Sequence, residues 1–122
     1  DTSECTNMSG MFCGCESFTT LDLCNFNTSN VTDMSGMFSN FSSVSTLNIN
    51  NFDTSKVTDM SGMFYAVNLY HNPSFFIGQT LPTIKNSRDS WQILTQYFKD
   101  NVFNMNNVTN TTDMFHWQLG IN

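Results

Sequence analysis

Apolar residues recur along this chain in two alternating rhythms. Leu21 and Leu23, and later Leu47 and Ile49, alternate with polar neighbours, the period-2 pattern of a strand with one face inward. A few residues on, Val31, Met34, Met37 and Phe38 fall three, three and one apart, a spacing that puts them on one face of a short helix or 3₁₀ turn. Thr32 and Asp33 stand where an N-cap oxygen would meet the first free amides. The local pattern therefore predicts strand, turn, short helix, turn.

That unit repeats. Displacing the sequence by 26 residues superposes MSGMF at Met8, Met34 and Met60, and TLDLCNF (Thr20 to Phe26) on TLNINNF (Thr46 to Phe52). The stretch VTDMSGMF is identical at Val31 to Phe38 and Val57 to Phe64. A fixed period of this length marks a solenoid, in which one unit cannot bury its apolar face alone. A weaker copy, Phe103 to Phe115, aligns with Phe52 to Phe64 at an offset of 51, so one degenerate coil is expected between them. There SFFI (Ser74 to Ile77), bracketed by Pro73 and Pro82, is the strand candidate, and SWQILTQYFK (Ser90 to Lys99) reads as an amphipathic helix capped by Asp89.

The fold expected is an α/β repeat, a short leucine-rich-repeat-like solenoid of about four or five coils in a single domain spanning 1–122. Within it, 1–26 is a cysteine-rich N-terminal cap coil, 27–64 the regular repeats, 65–102 a degenerate coil with a longer helix, and 103–122 the C-terminal coil. Gly36 and Gly62 hold equivalent places, for which the reasons are a positive φ or close approach of stacked backbones. A positive φ would break the expected helix, so close approach is favoured.

The unit L-x-(L/I)-x-N-F-(D/N)-T-S-x-V-T-D-M-S-G-M-F resembles that of the BspA-like leucine-rich-repeat surface proteins of bacteria and protists. The match is strong over Met8 to Phe64 and weak over Phe103 to Phe115, and Cys15 falls where that family often carries a cysteine. The resemblance implies a solenoid outside the cell, with adhesive or surface-structural roles and no catalytic residues to transfer.

Composition narrows the function classes. The net charge is -6 and only Lys56, Lys85, Arg88 and Lys99 are cationic, so nucleic acid and anionic membrane surfaces are not expected partners. No apolar run approaches the roughly 20 residues of a membrane span, and the chain opens on no leader-like segment. Cys5, Cys13, Cys15 and Cys24 all lie within the first 24 residues, which predicts disulfide stapling of one end in an oxidising, extracellular or cell-surface setting. Strand and helix ends in the coil place Cys5 near Cys24, leaving Cys13 and Cys15 for a C-x-C bridge or for bonds to another subunit.

Candidate chemistry is sparse. His71 and His116 are isolated, and Asp33 and Asp59 have a capping role available, so an enzyme is not expected and no cofactor is assigned. The M-x-x-M pairs Met8/Met11, Met34/Met37 and Met60/Met63 read as core rather than as a Cu(I) site. An Asp33/Asp59 ladder attracting Ca²⁺ is the weaker alternative to capping. Six N-glycosylation sequons occur, at Asn7, Asn27, Asn30, Asn40, Asn107 and Asn110, mostly at the corner before the short helix.

Two function classes follow. One is an extracellular structural or interaction protein whose partner is itself, end to end, or a cell-surface protein or glycan. The other is a carbohydrate- or peptide-binding module using the polar strand face of Thr20, Asp22, Thr46, Asn48 and Asn50, with Trp91 and Trp117 as stacking platforms. An ice-binding surface is a minor third, since Thr28/Thr54 and Thr32/Thr58 give only two-membered rows.

Overall fold

Phe12, Phe38, Phe64 and Phe115 hold the same place in successive repeats, and in the computed structural model they form one column of rings. Their centroids are 5.8, 5.6 and 5.0 Å apart and their planes lie within 4, 17 and 9° of parallel. The structure describes residues 2–14, 20–40, 46–65 and 87–115. Strand β1 (Thr20–Asp22) pairs in parallel with β2 (Thr46–Asn48), with Leu21 opposite Leu47, and α1 (Ser87–Asn101) follows. Further along each repeat, isolated parallel bridges join Asn7 to Asp33, Asp33 to Asp59, and Asp59 to Asn110.

The last bridge corrects one expectation. Asp59 pairs directly with Asn110, so along this strip no degenerate coil stands between the third repeat and the last. The SFFI strand candidate lies outside the described residues. The helix is longer than expected, beginning at Ser87, so Asp89 sits within its first turn rather than capping it. Leu94 and Phe98, four apart on one face, are buried, and the Phe98 ring lies 5.3 Å from Phe64 and 4.8 Å from Phe115. By the 51-residue offset Phe98 stands where Leu47 stands in the preceding repeat, so here a helix supplies the side chain that a strand supplies earlier.

The expected short helix is replaced by turns. In Met34–Ser39 the amides of Met37 and Ser39 donate locally to the carbonyls of Met34 and Gly36, at 3.3 and 3.2 Å. The intervening amides of Met34, Gly36 and Phe38 instead donate across to Asp59, Ser61 and Met63, at 3.0, 2.8 and 2.9 Å. Met8, Gly10 and Phe12 donate to the second repeat in the same way, and Met60, Gly62 and Phe64 to the fourth. A helix would keep all of these bonds within its own segment. Sharing them between turn and neighbour satisfies the same backbone and also joins the repeats.

Glycine makes this chain path possible. Gly10, Gly36 and Gly62 have φ of 64, 60 and 60°, and each follows a serine in a turn of type II character. Nothing lies closer than 3.8 Å to a Cβ built on Gly36 or Gly62, so the requirement is the left-handed backbone and not the close approach favoured above. In the fourth repeat Asp113 occupies the corresponding position at φ 53°. Gly62→Ala is therefore expected to destabilise by about 1–2 kcal/mol, and Gly62→Asn by less, since asparagine tolerates this region better. Asp113→Gly should raise the melting temperature. Equal losses for alanine and asparagine in thermal unfolding would contradict this account.

The core is the set of inward rows. Met34, Met37, Phe38, Met60, Met63 and Phe64 are completely buried, as are Val31, Val57 and Leu47. The methionines of the second and third repeats are thus packing residues against phenylalanine, filling space that a stiffer side chain would fit less well.

Candidate interaction surface

The polar face of the molecule is built from asparagine and aspartate corners. In each, a side-chain oxygen accepts the backbone N–H two residues on, the Asx turn. Asp33 Oδ1 accepts from the Ser35 amide at 2.9 Å and from its hydroxyl at 2.6 Å, and Asp59 does the same with Ser61. Asn7 and Asn110 hold the equivalent corners with Ser9 and Thr112. A second column consists of Asn27 with Ser29, Asp53 with Ser55, and Asn104 with Asn106. A third pairs Asp22 with Cys24 and Asn48 with Asn50.

Hydrogen bonds received by the Asp22 and Asp53 carboxylates stabilise their charged form. Asp22 titrates below its ordinary value through the Cys24 backbone amide, then the Cys24 thiol and the Asn48 side chain. Asp53 is lowered by the Ser55 hydroxyl and amide, with a smaller contribution from the Lys56 charge. The same contact, with desolvation, pushes the Cys24 thiol up, which makes it a poorer nucleophile for disulfide exchange.

The expected Cys5–Cys24 bridge is absent. Cys5, Cys13 and Cys24 are free thiols, and Cys15 lies outside the described residues. The register explains it: Cys5 stands in the column of Val31, Val57 and Val108 and packs on the core, whereas Cys24 shares the outward column of Asn50. Cys5 serves there as a small apolar residue, and Cys13 accepts a hydrogen bond from the Ser39 hydroxyl at 3.0 Å.

The sequons divide by geometry. Asn7, Asn27 and Asn110 are Asx corners, and at the same places other repeats carry Asp33, Asp59 and Asp53, also followed two residues on by serine. These three N-x-S/T triplets are what an Asx corner spells when its acceptor is an amide. Asn30 and Asn107 instead donate from Nδ2 to the Ser3 and Ser55 carbonyls of the preceding repeat, at 2.9 and 2.7 Å. Asn40 has φ 61° and its amide donates to Tyr65. All except Asn110, which is half-buried, are exposed.

Of the predicted ligand face, Thr20 pairs with Thr46 and Asp22 with Asn48, in register. Trp91 falls within α1, and Trp117, His71 and His116 lie outside the described residues. Among the described residues no three histidine, cysteine, aspartate or glutamate side chains are grouped so as to hold a metal ion.

The longer row is one that the sequence reading missed. Thr6, Thr32, Thr58 and Thr109 are all exposed and lie on four successive repeats. Each of the last three donates from Oγ1 to the threonine carbonyl of the repeat before, at 3.2, 3.2 and 3.3 Å. Lys56 lies beside this row, its Nζ donating to Asn30 Oδ1 at 3.0 Å. Thr6 and Thr109 align with Thr32 and Thr58 but lie outside the identical VTDMSGMF copies. Thr28 and Thr54, the other expected pair, turn inward and are buried.

A family model described as "Mycoplasma protein of unknown function, DUF285" matches residues 1–80, the span that carries all three MSGMF turns and the corners of the first three repeats. The chain belongs to the DUF285 family. No curated protein and no solved structure matches it. Membership in DUF285 is compatible with the surface-repeat character that the BspA-like resemblance implies. Among the described residues no helix is long and apolar enough to cross a membrane.

Proposed function

We propose that this DUF285 protein is a structural and interaction module of the extracellular space or cell surface, built as a short leucine-rich-repeat-like solenoid of the BspA-like kind and without catalytic activity. The observation that carries the reading is the constant register Asn7–Asp33–Asp59–Asn110. It converts a repeated sequence into columns of equivalent asparagine and aspartate corners held by backbone bonds. Of the nine corner residues five are asparagines and four aspartates, and the side-chain oxygen of each is already committed to a turn. Such a surface holds its geometry with little side-chain entropy left to lose, which favours recognition of an extended partner.

Display is tested on intact cells that make the protein, using a membrane-impermeant amine reagent. Lys56 and Lys99 are exposed and should be labelled without lysis. Labelling only after lysis would overturn the location.

A second reading is favoured by the threonine row. Four exposed threonines at the inter-strand spacing of about 4.8 Å form a regular edge against which a glycan or an extended peptide could lie. Binding on a glycan or peptide array that disappears in Thr32→Arg and Thr58→Arg would select this reading, and binding unchanged in both would remove the row from it.

A further inference from the structure

The fourth turn departs from the first three where it faces the helix. Aligned with the MSG of residues 8–10, 34–36 and 60–62, it reads Thr-Thr-Asp at 111–113. Met8, Met34 and Met60 are at most 1% exposed, whereas Thr111 is exposed, so a core side chain has been exchanged for a hydroxyl. Gly10, Gly36 and Gly62 hold φ of 64, 60 and 60°, and Asp113 in the same place holds 53°, a conformation that strains a residue with a Cβ and does not strain glycine. Contact with water accounts for a threonine at 111. It gives no reason to set a carboxylate on left-handed backbone, and a residue held in such a conformation points to a use for its side chain.

Both exchanged residues border a cavity of about 240 Å³ between this turn and α1. Gln92 and Thr95, three apart on one face of the helix, border it from the other side, and Met114 and Phe115 supply its apolar surface. Among the described residues the lining holds one carboxylate, one carboxamide, two hydroxyls and no cation. From this juxtaposition we infer that the cavity is a binding site for one neutral sugar unit. Volume sets the size: drug-sized ligands occupy about 300–1,000 Å³, and this smaller space admits a single ring. Chemistry sets the class. Sugar hydroxyls donate to the Asp113 carboxylate and accept from the Gln92 amide, while the C–H face of the ring lies against Met114 and Phe115. An anion would meet Asp113 in a chain of net charge -6. An alkylammonium answers Asp113 but brings donors only, which leaves the Gln92 amide hydrogens without an acceptor. Asp113 thus gives up some stability of the turn for an acceptor that glycine cannot supply.

The site is tested on the full chain by titrating glucose, galactose, mannose and N-acetylglucosamine in turn and following the backbone amides by NMR. At least one of the four should shift the amides of Thr95, Thr111 and Asp113 saturably and leave those of Met34, Gly36 and Phe38 unmoved. Asp113→Asn keeps a residue that tolerates the turn and should weaken binding about tenfold or more, the effect of losing one charged hydrogen-bond partner. Asp113→Gly should be more stable than the parent and bind no better than Asp113→Asn. Thr111→Met restores the residue of the first three repeats, fills the cavity and should abolish binding. No saturable shift with any of the four sugars, unchanged affinity in Asp113→Asn or Asp113→Gly, or larger shifts of the same amides with methylammonium chloride would overturn the site. Each of these would leave the surface-module reading standing, since that reading is decided by the labelling of Lys56 and Lys99.

Discussion

Phe38→Ala is expected to lower stability by about 3–5 kcal/mol, the range for deleting a fully buried aromatic side chain. The Phe38 ring is completely buried between Phe12 and Phe64, with the Phe52 ring beside it at 6.4 Å. Removing it leaves a gap in the middle of the column, where rings on both sides lose a stacking partner and neither can close the space without breaking its own inter-repeat bonds. Phe12 is half-buried and, among the described residues, stacks in the column on Phe38 alone, with Phe26 beside it at 6.0 Å, so Phe12→Ala should cost about half as much. Chemical denaturation of the two variants checks the gradient. Equal losses would mean that the column is not a continuous core.

The second large effect concerns a polar group. Thr28 is 1% exposed, and its hydroxyl donates to the Asp53 carbonyl at 3.1 Å while accepting the Asp53 amide at 2.7 Å. Thr2 makes the same pair of bonds with Asn27, and Thr54 donates to the Asn104 carbonyl at 2.8 Å. Valine has the shape of threonine and is more apolar, so burial alone predicts that Thr28→Val is neutral or stabilising. The hydroxyl, however, completes both backbone groups of Asp53 where the second and third repeats meet. Thr28→Val is therefore expected to destabilise by about 2–4 kcal/mol, counting one donor and one acceptor left unsatisfied. Thr28→Ser keeps the oxygen and should cost less than valine. A valine variant as stable as the parent would show that the inter-repeat backbone does not depend on this bridge.

These two positions also mark how far the sequence could be read. The 26-residue period, the inward residues Val31, Met34, Met37 and Phe38, and the period-2 strands at Leu21 and Leu47 were legible, because burial imposes spacing and spacing is visible in letters. The turn was not. Val-x-x-Met-x-x-Met-Phe suits a helical face, and a serine before glycine does not state which φ the glycine takes. Only the neighbouring repeat, which accepts alternate amides, selects the left-handed turn over the helix.

Cys5 was misplaced for a related reason. Clustered cysteines suggest a disulfide, but the column of Val31 and Val57 assigns Cys5 to the core, information held in the alignment rather than in the cysteine spacing. The direct contact of Asp59 with Asn110 was hidden by length, since 51 residues is close to two periods and invited an interposed coil. A segment between two repeats need not join their stack, and counting residues cannot distinguish a stacked unit from an inserted one.

The stacking of whole repeats through alternate amides is tested most directly by native-state hydrogen exchange, followed amide by amide in NMR spectra. Met34, Gly36 and Phe38, and likewise Met60, Gly62 and Phe64, should exchange slowly as inter-repeat donors, with Ser35 and Ser61, bonded only to side chains of half-buried corners, exchanging faster. Slow exchange of Ser35 through Phe38 as one uninterrupted helical block, or fast exchange throughout Met60 to Phe64, would contradict it.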